Sequence, residues 1–256
     1  MMERLTTNEI KSKLESFTYE EFLKIKDELL NDSRKSVRSL VEKYERNYQR
    51  KLKLIEEYNK KKRYENELLK HNIKYIAGVD EVGRGPLAGN VYAAAVILNP
   101  EVDILEINDS KKLSESQRER LAEEIKGKCL AYSIAYATVE EIDKYNILNA
   151  TKLAMKRAIE NLKIRPEYIL IDALNLEEAN LNQISIVKGD ELSISIGAAS
   201  IIAKVERDNY MKKMSEKYPQ YLFDKNKGYG TKEHLEAIKA YGLCEIHRKS
   251  FVKNFI

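Results

Sequence analysis

Tryptophan is absent from this 256-residue chain, and cysteine, histidine and proline are nearly so, at two, three and four residues. Cys129 and Cys244 cannot build a disulfide framework; they read as free thiols and place the chain in a reducing, cytoplasmic compartment. His71, His234 and His247 are too few and too scattered for a zinc site of the Cys/His kind. No apolar run has the length needed to span a bilayer, and the N-terminus carries a charge every few residues where a signal peptide would carry an apolar core. A membrane partner is therefore not expected. The scarcity is also local: residues 1–70 contain neither proline nor glycine, so only polar caps can punctuate helices there.

Charge is plentiful and uneven. The net charge is +4, and residues 1–70, with 18 basic and 14 acidic side chains, account for all of it; residues 71–256 hold 27 of each. Residues 33–63 alone carry 12 basic against 4 acidic side chains. Thr6-x-x-Glu9 and Thr18-x-x-Glu21 fit capping boxes, and Asn31-Asp32-Ser33 marks a break. A long helix is expected from about Ser36 to about Leu69, with Leu40, Val41, Tyr44, Tyr48, Leu52, Ile55 and Tyr58 on a drifting apolar stripe. Residues 1–71 thus read as a helical, basic extension. Such a segment is commonly a solvated lead-in to the main domain, and equally it suits a phosphate backbone.

Residues 72–256 read as an α/β domain with a mixed sheet flanked by helices. Tyr75–Val79 and Val91–Leu98 are apolar runs joined by a tight glycine-rich segment, the pattern of an antiparallel hairpin. Ser114-x-x-Gln117 caps a helix to about Lys128, Leu130–Ala137 alternates as a strand with Tyr132, Ile134 and Tyr136 on one side, and Thr138-x-x-Glu141 caps a short helix. A longer helix follows from Asn146, with Leu148, Leu153, Ala158, Ile159 and Leu162 toward the core. Tyr168–Ile171 and Ile184–Val187 are further strands. Ser193 or Ser195 caps a helix with Ala198, Ile201, Ile202 and Val205 on its inner stripe, closed by Pro219, and a last helix runs from Thr231 to near Gly242.

Three of the apolar strands end in acids: Asp80-Glu81, Asp172 and Asp190. Taken singly, each is ordinary turn chemistry. Side by side at one end of a sheet, they would form a cluster that cannot stay ionised without a cation, and hard oxygen donors select Mg²⁺ or Mn²⁺. Adjacent strand residues point to opposite faces, so Glu81 joins Asp80 only if the strand ends or bends there. Gly83-Arg84-Gly85 follows at once, a close-approach loop with a phosphate-suited cation.

In order along the chain, Val79-Asp-Glu-Val-Gly-Arg-Gly-Pro-Leu-Ala-Gly89, Asn108-Asp-Ser-Lys-Lys-Leu-Ser114, Leu170-Ile-Asp172, Val187-Lys-Gly-Asp190, Ala198-Ala-Ser-Ile-Ile-Ala-Lys204 with Arg207-Asp208, and Lys227-Gly-Tyr229 resemble the successive signatures of bacterial ribonuclease HII. The resemblance covers about residues 72–252. It implies a ribonuclease H-like fold and a metal-dependent endonuclease for RNA–DNA hybrids and ribonucleotide-containing duplex DNA, cutting 5′ of the ribonucleotide and leaving a 3′-hydroxyl. It further implies Asp80, Glu81, Asp172 and Asp190 as metal-binding carboxylates acting on Mg²⁺ or Mn²⁺, with a two-metal mechanism. Gly83, Arg84 and Gly85 would read the ribose 2′-hydroxyl and adjacent phosphate, Tyr229 would pack on the sugar, and Lys111, Ser200 and Lys204 would be phosphate contacts. The sequence departs from many members where Ala173-Leu174, in place of Gly-Asn, follows Asp172.

Two other readings remain at this level. Ribonuclease HIII shares the fold, but the loop arginine Arg84, the aspartate Asp190 and the helical first segment argue against it. A non-catalytic nucleic-acid-binding module is disfavoured by the presence of all four acids. Nothing in the sequence demands more than a monomer, and no motif identifies a clamp or other protein partner.

Overall fold

The computed structural model describes residues 5–101, 103–177 and 180–253. Its contacts divide the chain between Glu57 and Tyr58 into two compact units, ahead of the composition change near His71.

The first unit holds α1 (Thr7–Ser16), α2 (Tyr19–Leu30) and most of α3 (Lys35–Lys61). Both expected capping boxes form: Thr6 and Thr18 each accept from the backbone N–H of Glu9 and Glu21, whose side chains return the bond. Asp32 makes the break that precedes α3, accepting from the Arg34 backbone N–H at 2.8 Å and from its Nε at 2.9 Å. Ile10, Leu14, Phe22, Leu29, Val37 and Val41 form the core, and Tyr19 stacks on Tyr48 with ring centroids 3.6 Å apart.

In the second unit the expected single helix is interrupted. α3 ends at Lys61 and α4 (Arg63–Lys70) begins after Lys62. No breaker residue marks the place; tertiary anchoring does, because Lys62 Nζ donates to the Pro100 carbonyl and pairs with Asp103. The apolar stripe splits accordingly: Val41 is buried in the first core and Tyr58 in the second unit, while Leu52 between them is exposed.

A five-stranded sheet of order β3-β2-β1-β4-β5 forms the centre of the second unit, from β1 (Ile76–Val82), β2 (Val91–Ile97), β3 (Ala131–Ala137), β4 (Tyr168–Asp172) and β5 (Asn182–Ile186). β1 pairs antiparallel with β2 and parallel with β4; β3 is antiparallel to β2 and β5 parallel to β4. This is the mixed sheet expected of the sequence. β2 is buried throughout, and its residues alternate between two cores: Ala93, Ala95 and Ile97 face α6 (Val139–Glu160), while Ala94 and Val96 face α5 (Glu115–Lys128) and α8 (Ile194–Lys217).

β3 alternates as expected: Tyr132, Ile134 and Tyr136 share the face opposite the buried Ala131, Ser133, Ala135 and Ala137. Leu148 departs from the expected pattern and is exposed. The helix that contains it is reset at Asn146, whose backbone (φ 68°, ψ 166°) is non-helical and whose side chain caps the second segment at Asn149. β5 begins at Asn182, earlier than expected, and Val187 lies outside it in solvent.

α8 crosses β1 at contact distance. A methyl group on Gly78 would overlap the backbone of Ser195 and Ile196. The start of α8 is held in turn by Glu65 of α4, whose Oε1 accepts from Ser193 Oγ and from the Ser195 N–H at 3.0 Å. Burial pushes the Glu65 carboxyl above its usual range. Gly78→Ala is expected to destabilise the protein by about 1–3 kcal/mol or more, because backbone on both sides cannot yield. Thermal unfolding reads this directly, and an unchanged Tm would show that strand and helix separate freely.

Candidate active site

The parallel β1–β4 ladder ends at Val79 opposite Ile171. The next residue on each strand is an acid, Asp80 or Asp172, so parallel register alone sets these two carboxylates side by side. β1 stays paired with β2 as far as Val82, yet beyond Val79 it is free of β4. Glu81 therefore reaches the same place without the strand ending: carboxylate oxygens of Asp80, Glu81 and Asp172 lie within 4.8 Å of one another. Asp80 turns back along the chain to accept the Glu81 N–H at 2.8 Å, and Asp172 accepts the Gly189 N–H at 2.6 Å.

Two of these acids are held above the ordinary carboxylate range. Burial above all, then the charges of Glu81 and Asp172, raise the Asp80 carboxyl well above its ordinary range. Burial also raises Glu81, against the opposing pull of the Arg84 guanidinium, 3.6 Å from Glu81 Oε1. Glu81 Oε2 is buried and accepts no hydrogen bond from the described residues. An orphaned carboxylate oxygen among purely oxygen donors fits a hard divalent cation.

Asp190 stands at the edge of this trio, on α7 (Gly189–Leu192). Burial raises its carboxyl, and the neighbouring charges of Asp109 and Asp172 add to the rise. Asp109 is a site residue that sequence reasoning passed over, although the Asn-Asp-Ser-Lys segment contains it. It is buried, and its Oδ1 caps the Lys111 N–H at 2.9 Å. Lys111 itself is exposed, and its charge opposes the rise at Asp190. The other two phosphate candidates are engaged internally. Ser200 is buried beside Asp80 with its Oγ 3.1 Å from Ser110 Oγ, and Lys204 Nζ donates to Asp208 Oδ1 at 2.6 Å.

The loop from Gly83 to Asn90 forms the adjoining wall. Gly83 has φ +95°, and a side chain there would strike Arg207 Nε. Two fully buried arginines support the loop through its carbonyls. Arg248 donates to the carbonyls of Gly83, Arg84, Pro86 and Gly89 at 2.5–2.9 Å; Arg207 donates to those of Ala88, Asn90 and Lys227 at 3.0–3.2 Å. Burial, with the nearby Arg207 charge, brings the Arg248 guanidinium down to about 9. Tyr229, half exposed, closes the wall from the other side with its ring edge 3.6 Å from where a Cβ on Gly85 would lie. The structure thus brings Asp80, Glu81, Asp172, Gly83, Arg84, Gly85 and Tyr229 to one face, with Asp190 beside them. Arg207 stood in the sequence signature without a role and Arg248 in none; each acts from beneath the backbone.

Comparison with known proteins agrees with this geometry. The family model described as Ribonuclease HII matches residues 77–254, and the Ribonuclease HII N-terminal domain matches residues 6–69. A ribonuclease HII of Acetivibrio thermocellus is 54% identical over 223 residues, 86% of each chain; one of Bacillus anthracis is 50% identical over 250 residues, 98% of this chain and 96% of that protein. Among solved structures, the ribonuclease H2 from Pyrococcus horikoshii OT3 superposes with a TM-score of 0.60 at 27% identity, covering 70% of this chain and 96% of its own.

Because the Asp80 carboxyl is raised in the folded chain, its protonated form favours folding at low pH, and that contribution is lost as pH rises through the folded-state value. Without divalent ions, Asp80→Asn is expected to unfold a few degrees above the parent at neutral pH, with the gap closing as pH falls through the carboxylate range. Added Mn²⁺ should raise the Tm of the parent and leave that of Asp80→Asn nearly unchanged. Equal responses would show that the ion binds elsewhere.

Proposed function

The chain belongs to the ribonuclease HII family, a hydrolase of the RNA strand in RNA–DNA hybrids, and from that premise we propose that it is a metal-dependent endonuclease that also cuts duplex DNA 5′ of a single embedded ribonucleotide, leaving 3′-hydroxyl and 5′-phosphate ends. The observation that carries this reading is the adjacency of the crowded carboxylates to a backbone wall with an aromatic ring on it. Asp80, Glu81, Asp172 and Asp190 would hold Mg²⁺ or Mn²⁺. Two such ions, when bound, activate a water and relieve charge on the leaving oxygen.

The chain's own residues supply position and selectivity. Only the 2′-hydroxyl distinguishes RNA from DNA at one nucleotide, and the Gly83-Arg84-Gly85 backbone is open enough to approach it. The Tyr229 ring offers a flat apolar face to the sugar. Arg84, held near Glu81 in the free protein, is placed to turn toward phosphate, and Lys111 is exposed beside Asp190. Removal of stray ribonucleotides during DNA replication and repair in the cytoplasm is the role this activity would serve. Lys43, Arg46, Arg50 and Lys53 are exposed and recur at helical spacing on α3, which supports a phosphate-binding role for the N-terminal unit.

Two measurements test this reading. An end-labelled DNA duplex with one ribonucleotide should be cut on the 5′ side with Mg²⁺ or Mn²⁺ and not with EDTA, an all-DNA control should stay intact, and Asp80→Asn should abolish cutting while retaining binding. Cleavage confined to long hybrids would remove the single-ribonucleotide claim. Replacing Lys43, Arg46, Arg50 and Lys53 by glutamine should flatten the dependence of log binding constant on log salt by up to about 3–4, near 0.9 for each phosphate lost; an unchanged slope would show that α3 does not touch the backbone.

A further inference from the structure

The two sides of the substrate wall belong to distant parts of the chain, and both lead to the same place. Arg248 gathers the Gly83–Pro86 carbonyls, as described. In a trans peptide the C=O and the following N–H point in opposite directions, so drawing the Gly83 and Arg84 carbonyls inward turns the N–H groups of Arg84 and Gly85 away from Arg248, toward the open side of the loop. The preceding residue, His247, leads to the other side. Its Nε2 is 3.0 Å from His234 Nε2, and His234 Nδ1 is 2.8 Å from the carbonyl of Tyr229.

These contacts admit one hydrogen arrangement. The Tyr229 carbonyl can only accept, so His234 Nδ1 carries a hydrogen. His234 Nε2 is then the acceptor and His247 Nε2 the donor, and His247 Nδ1 is left to accept the Cys244 N–H at 2.9 Å. Both rings are fully buried, and burial depresses both imidazoles, His247 to about 4, so they stay neutral. His234 is caged by Phe223 and Tyr221, whose rings meet its ring edge-on. Beyond Arg248, the N–H groups of Lys249 and Ser250, which open the short helix Lys249–Val252, are fixed by Asp143 of α6 at 2.9 Å. The turn bearing His247 and Arg248 is therefore tied to the body of the domain on its far side.

We propose that His247 and Arg248 are the positioning pair of the ribose-reading wall: Arg248 aims the loop's amide donors, His247 holds Tyr229 in place through His234, and one rigid turn so sets the spacing between donors and ring. The inference rests on the function proposed above. It assigns a role to two histidines and an arginine that touch no substrate and that composition gave no reason to notice. Placement errors of about an ångström cost on the order of 100-fold in rate, so such a tether would act on turnover more than on duplex binding, which phosphate contacts elsewhere maintain.

The test uses full-length parent, His234→Phe, His234→Gln and Arg248→Lys, assayed on both the single-ribonucleotide duplex and a continuous RNA–DNA hybrid. Phenylalanine fills the cage without a donor for Tyr229; glutamine retains a donor and an acceptor; lysine keeps the charge of Arg248 without its fork. His234→Phe and Arg248→Lys should lose about 10–100-fold in kcat with KM little changed, and His234→Gln should restore most of it. Loss of kcat to the same extent in His234→Gln as in His234→Phe, or parental kcat in a folded His234→Phe, would overturn the proposal. Failure of the parent on the single-ribonucleotide duplex would count against the proposed function instead, and the variants would still be judged on the hybrid. Should a variant not fold, imidazole ¹⁵N spectra of the parent decide: hydrogen on Nδ1 of His234 and on Nε2 of His247 supports the tether, and the reverse pattern overturns it.

Discussion

Mutual repulsion among three half-dry carboxylates is the constraint to which the surrounding fold answers. Asp80, Glu81 and Asp172 have no stable arrangement of their own at neutral pH; they are held together because β1 and β4 run parallel and leave their ladder at the same level. That register depends on α8 lying directly on Gly78, and on Glu65 holding the first turn of α8 from the opposite side. A packing contact two residues before Asp80 on the same strand thus bears on where a carboxylate sits. The repulsion, only partly relieved by Arg84 and by backbone N–H donors, is what makes the site ready for a cation.

The neighbouring wall solves the opposite problem. The loop buries Leu87 and Ala88 in an apolar cluster, but its glycine-rich tip has no side chains to pack. Arg207 and Arg248 shape that tip from below. Each spends its donors on backbone carbonyls, and a planar guanidinium imposes direction on several at once. Leu87 and Ala88, with Tyr221 and Phe223, tie the loop to an apolar cluster distinct from the two that sandwich the sheet.

Much of this was legible in the residues. Capping boxes at Thr6, Thr18, Ser114 and Thr138 mark helix starts because their chemistry is local, and the acids closing apolar runs stood out because charge is costly beside a buried strand. What escaped was set by tertiary contact. Nothing local breaks the helix at Lys62, and Leu148, read as core in the helix from Asn146, is exposed in the first turn of that segment. Asp109 looked like part of a polar loop. Arg207 stood in the Arg207-Asp208 signature without a role and Arg248 outside every motif; what both do, donating to backbone carbonyls, is set by tertiary contact. The unusual Ala173 gains a physical meaning only from the backbone: it lies at φ 49°, a left-handed conformation that the glycine common at this position in the family adopts without strain.

Those buried guanidiniums also change what the charge count means. Beyond residue 70 the chain is formally neutral, 27 charges of each sign, and an ion-exchange resin, which averages over the whole surface, would treat that body as such. A phosphodiester lying on the Gly83–Gly85 loop would not sample that average. It would meet two cations directly beneath the loop backbone, whose guanidiniums donate to the loop's own carbonyls, in a medium too dry to screen them. Attraction for a polyanion is in this way concealed from the solvent at large and disclosed only to a ligand that has already reached the wall.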